Sequence, residues 1–179
     1  MEPVRLRSGR EVAIRPIRPD DAPELQAAYE RLSPESKYRR FMSGKPRLST
    51  AEARYLTQLD GSDHHALVAT PARGPQSILA VGRYIRLLEH PEAAEFAIVV
   101  GDPYQREGLA AELLERLAQA AREHGIKRFT ATMLADNVAA HRLVRRLAAG
   151  GMVPHGDGAK VAVERHLGAL DEIDVELAA

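Results

Sequence analysis

The sequence predicts a mixed α+β domain with a mostly antiparallel sheet, and three observations carry that expectation. Helical segments come before most of the strands. Strand-like runs at 65–70 (HALVAT), 77–86 (SILAVGRYIR) and 93–100 (AAEFAIVV) follow one another with only the turns PARGP and EHPE between them, the spacing of an antiparallel meander. A long amphipathic helix over 107–124 then leads into a further strand over 127–134.

Each element has a local reason. Residues 11–15 (EVAIR) alternate as a strand does, and Pro16 and Pro19 close it before a helix over about 20–32. Ser33 caps a second helix with Pro34 at its first position. Ser49 opens a third, where Glu52 completes a capping box and Ala53, Leu56 and Leu59 supply the buried stripe. In the helix over 107–124, Leu109, Leu113, Leu117 and Ala121 share one face, Glu112, Glu115, Arg116 and Arg122 point outward, and Gly125 ends it. A helix over about 137–147 carries Ala140, Leu143, Val144 and Leu147 as its stripe. Strands near 151–155 and 159–166 flank Gly156-Asp157-Gly158, which brings the sheet to six or seven strands, and the acidic residues 168–179 are expected to form a loose tail.

Composition narrows the function. A chain of 179 residues fits one domain with a single sizeable core. Lys+Arg and Asp+Glu both total 25, so no net field draws the chain to nucleic acid or to a membrane surface. The absence of cysteine excludes disulfides, thiolate metal sites and a Cys nucleophile. The stretch MEPVRLRSGREVAIRP lacks the apolar run of a signal peptide, and no segment approaches the roughly 18 apolar residues of a membrane helix, so a cytoplasmic protein is expected. His64, His65 and His141 have no metal-ligand spacing, and no metal is assigned.

The chemistry points to AEFAIVVGDPYQREGLA, residues 94–110. A helix beginning near Glu107 would leave its first backbone N–H groups unpaired, and Gly108 would let a phosphate approach the main chain. The same glycine would equally serve close packing of helix on sheet. Alternation puts Glu95, Ala97 and Val99 on one strand face and Ala94, Phe96, Ile98 and Val100 on the other, both apolar, as in a central strand. Burial there would raise the Glu95 pKa toward that of a general base; a salt bridge to Arg83 or Arg86 would lower it instead.

The run from Gln105 to Ala110, QREGLA, is similar to the Gln/Arg-x-x-Gly-x-Gly/Ala signature of the GCN5-related N-acetyltransferases, the GNAT superfamily, and LADN (134–137) resembles its second motif. With IRPIRPDD, LSPESKYRRFMSGKPRLS, HALVAT and AEFAIVV, the ordered set resembles the GNAT domain of bacterial Pat-type protein lysine acetyltransferases over about residues 10–167. The resemblance implies an α/β/α sandwich whose sheet splays between strands 93–100 and 127–134. It implies acetyl-CoA as cosubstrate, with the backbone of Ile98, Val99 and Val100 along the pantetheine arm. The amides of Gln105, Arg106, Glu107, Gly108, Leu109 and Ala110 would surround the pyrophosphate. Asn137 would reach the pantetheine from the opposite limb, or cap its own helix, and Arg146 would reach the 3′-phosphate. Glu95 corresponds to the general base, and the acceptor would be a protein lysine; a small amine, or a noncatalytic acetyl-CoA-binding module, are the alternatives.

The chain also departs from the pattern. Val144 stands where many relatives carry a Tyr that protonates the leaving thiolate, and its place in the apolar stripe makes it core. Arg106 and Glu107 replace the Gly and Arg frequent in the phosphate loop, and Glu107 is expected to weaken CoA binding by its charge. The segment AAGGMVP replaces the usual Gly-Phe before the last strands. Arg142 and Arg145 read as a solvated helix face ahead of a reach to the 3′-phosphate, Arg39, Arg40, Lys45 and Arg47 as solvated charge ahead of a surface for an acidic partner, and Tyr104 either stacks on a ligand or packs.

Overall fold

The computed structural model describes residues 3–41, 47–74, 76–147 and 160–167, with backbone only for 145–147 and 160–166. One sheet runs through them in chain order: β1 (Val4–Arg5), β2 (Glu11–Pro16), β3 (His64–Pro71), β4 (Ala80–Arg86), β5 (Ala93–Val100), β6 (Arg128–Leu134) and β7 (Lys160–His166). Neighbours are antiparallel except β5 and β6, which run parallel. A parallel pair needs a crossover, and helix α4 (Leu109–Glu123) supplies it. The two-residue β1 was not expected, being too short to show a period. The strand near 151–155, the Gly156-Asp157-Gly158 turn and the tail 168–179 lie outside the described residues.

Alternation along the inner strands divides the molecule into the three expected layers. On one face Leu67 and Ala69 of β3 and Phe96 of β5 join Leu109, Leu113, Leu114 and Leu117 of α4, and α5 (Val138–Leu147) adds Val144. On the other, Ala66, Val68 and Val81 join Leu25 and Tyr29 of α1 (Ala22–Glu30) and Ala53 of α3 (Thr50–Tyr55). The helix α2 (Pro34–Phe41) belongs to this second layer and contacts both β5 and β6. The α4 layer sits so close on β4 that a Cβ on Gly82 would lie 2.8 Å from Leu117 Cδ1.

Local chemistry sets the helix ends. Ser49 and Glu52 form the expected capping box, and the Ser33 hydroxyl accepts the Ser36 N–H at 3.2 Å. At the end of α4, Gly125 adopts a φ of 77°; its N–H reaches Arg122 O and that of Ile126 reaches Ala121 O, both at 2.9 Å. That pair of bonds is a Schellman closure. The start of α4 is two residues later than expected, at Leu109, because Glu107 is drawn out of the helix toward the β1–β2 turn, where the Arg7 N–H donates to its carbonyl at 3.3 Å.

Candidate active site

The sheet opens at β5. This strand pairs with β4 from Ala94 to Val100, but with β6 only at Ala93, Ala94 and Glu95, opposite Arg128, Phe129 and Thr130. From Phe96 to Val100 the β6 side of the strand has no partner among the described residues. The backbone of Ile98, Val99 and Val100 therefore lines a fork, with Glu95 at its closed end.

At the open end lies the turn before α4. Arg106 and Gly108 both take left-handed backbone, with φ of 62° and 94°. Such alternation gathers successive N–H groups into an anion-binding concavity, here at the positive end of a helix. The N–H groups of Arg106, Glu107, Gly108, Leu109 and Ala110 find no acceptor among the described residues. Gln105 differs from expectation, because its N–H turns back to Asp102 O at 3.4 Å and its side-chain amide donates to Ser36 Oγ and Val100 O, both at 3.1 Å. Leu109 itself is core, 1 % exposed.

A left-handed Arg costs about 1 kcal/mol, and the surrounding ties hold it. Asp102 accepts the Ser33 N–H at 3.0 Å and the hydroxyls of Ser33 and Ser36 at 2.7 and 2.8 Å, which joins α2 to the turn. Burial opposes its charge, but these donors keep its carboxyl below the usual range. Glu107 accepts the Ser8 N–H at 3.2 Å, bonds the Ser8 hydroxyl and pairs with Arg10. Arg10 also donates to Pro103 O at 2.9 Å and lies over the Tyr104 ring, 4.6 Å from its centroid. The charge of Glu107, expected to oppose a bound diphosphate, is matched by the Arg10 guanidinium. Tyr104 packs against the core.

Glu95 also differs from expectation. It is exposed, not buried, because β6 departs immediately beyond it. Neither foreseen salt bridge forms: Arg86 binds Asp63 Oδ1 at 2.7 Å, while Arg83 meets His64 Nε2 and Leu56 O, each at 3.3 Å. Arg40 of α2 lies within electrostatic reach of Glu95. On the opposite limb Asn137 caps α5, its Oδ1 accepting the Ala140 N–H at 3.1 Å, with no acceptor for its own side-chain N–H groups among the described residues. Val144 is buried, so no acid stands at that position. The side chain of Arg146, like that of Arg145, lies outside the described residues; Arg142 is exposed.

Between α1, α2 and the sheet is a cavity of about 380 Å³, walled by apolar residues such as Tyr29, Phe41, Val81, Ala97 and Val99, with Arg40 and Arg83 among them. The sequence reading missed Arg83 as a cavity residue and placed Arg40 on the surface, as solvated charge or toward an acidic partner, rather than in a cavity. An Arg inside the strand run SILAVGRYIR is the signal that was available, since a central strand rarely carries an unpaired charge.

A splayed parallel pair with an amide-lined turn at its mouth defines a class, and comparison with known proteins agrees. Residues 11–149 match the acetyltransferase (GNAT) domain family. The chain belongs to the GNAT family, the acetyl-CoA-dependent N-acetyltransferases. It is 36 % identical over 149 residues to acetyltransferase Pat of Mycolicibacterium smegmatis, covering 82 % of this chain and 44 % of that protein. With acetyltransferase PA5475 of Pseudomonas aeruginosa it shares 32 % identity over 143 residues, 79 % of this chain and 74 % of the other. The GNAT domain of S. lividans PAT superimposes with a TM-score of 0.82 at 34 % identity, over 92 % of this chain and 96 % of that one. The chain thus spans less than half of the Mycolicibacterium protein. The unmade amides, the two left-handed residues and the open edge of β5 fit a diphosphate joined to an amide-bearing arm, the chemistry of acetyl-CoA.

Proposed function

We propose that this chain transfers the acetyl group of acetyl-CoA to an amine, with a protein lysine as acceptor and Glu95 as general base. The observation that carries the reading is the fork itself: amides at its mouth and a strand edge along it that have no partner among the described residues, and a solvent-reached carboxylate where it closes. Lysine as acceptor is what the resemblance of the sequence motifs to Pat-type protein lysine acetyltransferases implies. A cytoplasmic setting and one acetyltransferase domain over residues 1–179, its core about 10–167 and 168–179 an acidic tail, belong to the same reading.

In this scheme the amides of Arg106 to Ala110 hold the pyrophosphate, with Gln105 bracing the turn by its side chain. The edge of Ile98, Val99 and Val100 and the free amide group of Asn137 orient the pantetheine arm, and Arg146 is assigned to the 3′-phosphate. The thioester supplies the activated acetyl group. Glu95, directly or through a water, takes the proton from the attacking amine, and a β5 N–H donates to the carbonyl oxygen as it gains charge. Val144 contributes no proton, so the departing thiolate leaves unassisted or takes one from water.

Acetyl-lysine mass spectrometry on proteins of the source cell, incubated with acetyl-CoA and this protein, tests the reading, with Glu95→Gln as control. Glu95-dependent lysine sites are expected. Acetyl-CoA binding without any such site would move the acceptor to a small amine or leave a binding module.

A further inference from the structure

We propose that Arg40 and Arg83 form a carboxylate-recognition site in the cavity beside the fork, selecting an acceptor that carries an acidic group close to the amine presented to Glu95. The inference rests on the acetyl-transfer reading above and adds to it a chemical class of acceptor.

Arg83 stands on β4 opposite Ala97, which lies two residues from Glu95 on the same face of β5. That places it one strand over and about 7 Å along from Glu95. It is buried, 6 % exposed, and its two hydrogen bonds go to neutral acceptors, His64 Nε2 and Leu56 O. Arg40 lines the same cavity from α2 and lies within electrostatic reach of both Arg83 and Glu95. Among the described residues neither arginine makes an ion pair, although most other helical and strand arginines nearby do, as with Arg39 to Glu35 and Arg86 to Asp63.

Two guanidiniums on the wall of a largely apolar cavity, repelling each other and with no ion-paired carboxylate among the described residues, are a costly arrangement that the stacking of Arg40 over the Phe41 ring, 4.9 Å from its centroid, offsets only in part. Burial, followed by the repulsion of Arg40, brings the Arg83 pKa down to about 10, which still leaves it charged at neutral pH. His64 is kept from adding a third charge, since burial and then Arg83 lower its pKa. A carboxylate bound between the arginines would remove the repulsion and take up the unused N–H groups in paired geometry. The distance from Glu95 matches the reach of a lysine flanked by Asp or Glu, or of a small molecule with an amine and a carboxylate.

Fluorescence anisotropy with a labelled peptide carrying Lys flanked by Glu, against the same peptide flanked by Gln, measures the site without requiring turnover. We expect the Glu peptide to bind the wild type at least about tenfold tighter, as for a charge-assisted pair, and the preference to vanish in Arg40→Gln. Arg83→Lys, which keeps the charge and loses the fork geometry, is expected to reduce it. Equal binding of the two peptides, with no displacement by free glutamate, would overturn the proposal, as would a preference that survives in both variants. Displacement of the Glu peptide by free glutamate from the wild type but not from Arg40→Gln would support the site whichever acceptor supplies the carboxylate. Acetylation separates the two readings: equal kcat/KM for the Glu and Gln peptides, with equal binding, removes the anion site and leaves lysine transfer standing, whereas Arg40-dependent glutamate binding without lysine turnover does the reverse.

Discussion

Glu95 and Thr130 face each other at the last paired position between β5 and β6, and beyond them the two strands part. The candidate base therefore stands where the sheet stops shielding β5, reached by solvent and by Arg40 of α2. For Glu95→Gln we expect turnover to fall by about a hundredfold or more with acetyl-CoA affinity nearly unchanged, since only the proton acceptor is lost. Steady-state kinetics beside calorimetric titration of acetyl-CoA separates the two quantities; wild-type turnover would exclude Glu95 from the chemistry.

Gly108 has open space around it, so a methyl group there meets no atom, yet its φ of 94° is one that a side chain strains. The cost is about 1 kcal/mol. Gly108→Ala should therefore leave the fold intact and raise the Kd for acetyl-CoA by about fivefold, as the turn relaxes away from its binding shape. An unaltered Kd would mean that the amides of this turn do not hold the diphosphate.

The Glu107 carboxylate is tied to Ser8 and Arg10, and the Ser8 hydrogen bonds lead the causes that keep its pKa below the usual range. Removing its charge should not tighten cosubstrate binding. For Glu107→Gln we expect severalfold weaker acetyl-CoA binding, because the brace on the left-handed Arg106 loosens. Tighter binding would restore the view that Glu107 acts as an electrostatic opponent of the diphosphate.

Gly82 lies under α4, where a Cβ would meet Leu117 Cδ1 at 2.8 Å and Leu113 Cβ at 3.4 Å. Gly82→Ala should destabilise the fold by about 1–3 kcal/mol, the range for overpacking a filled core. Urea denaturation reads this directly. A stability equal to wild type would show that the α4 layer shifts without cost.

Asp60 accepts the backbone N–H groups of His64, Ser62 and Asp63 at 3.0, 2.8 and 2.7 Å, and these bonds, His64 first, bring its pKa to about 2. A carboxylate depressed in the folded state stabilises above its unfolded pKa of about 3.9 and loses that contribution as pH falls toward about 2. The urea midpoint of the wild type should therefore exceed that of Asp60→Asn at pH 6 and converge with it between about pH 4 and 2. Parallel pH profiles for the two proteins would contradict the linkage.

Much of this molecule was determined by the sequence alone, because its signals are local. Ser49 with Glu52 sets a helix start, Gly125 a helix end, and the leucines at 109, 113 and 117 one buried face. The alternation of AAEFAIVV marks a strand that packs on both sides, and QREGLA marks the turn that would face a diphosphate. Periodicity and capping act within a few residues of the chain, so they can be read without knowing what packs against them. Tertiary structure decided what depends on partners distant in sequence. The exposure of Glu95 follows from where β6 leaves β5, and the neutralisation of Glu107 from a turn almost a hundred positions earlier. Arg40 and Arg83 become one site only because α2 folds across the sheet to share a cavity with β4. Burial and charge pairing are properties of the assembled surroundings, and those form only when the chain closes on itself.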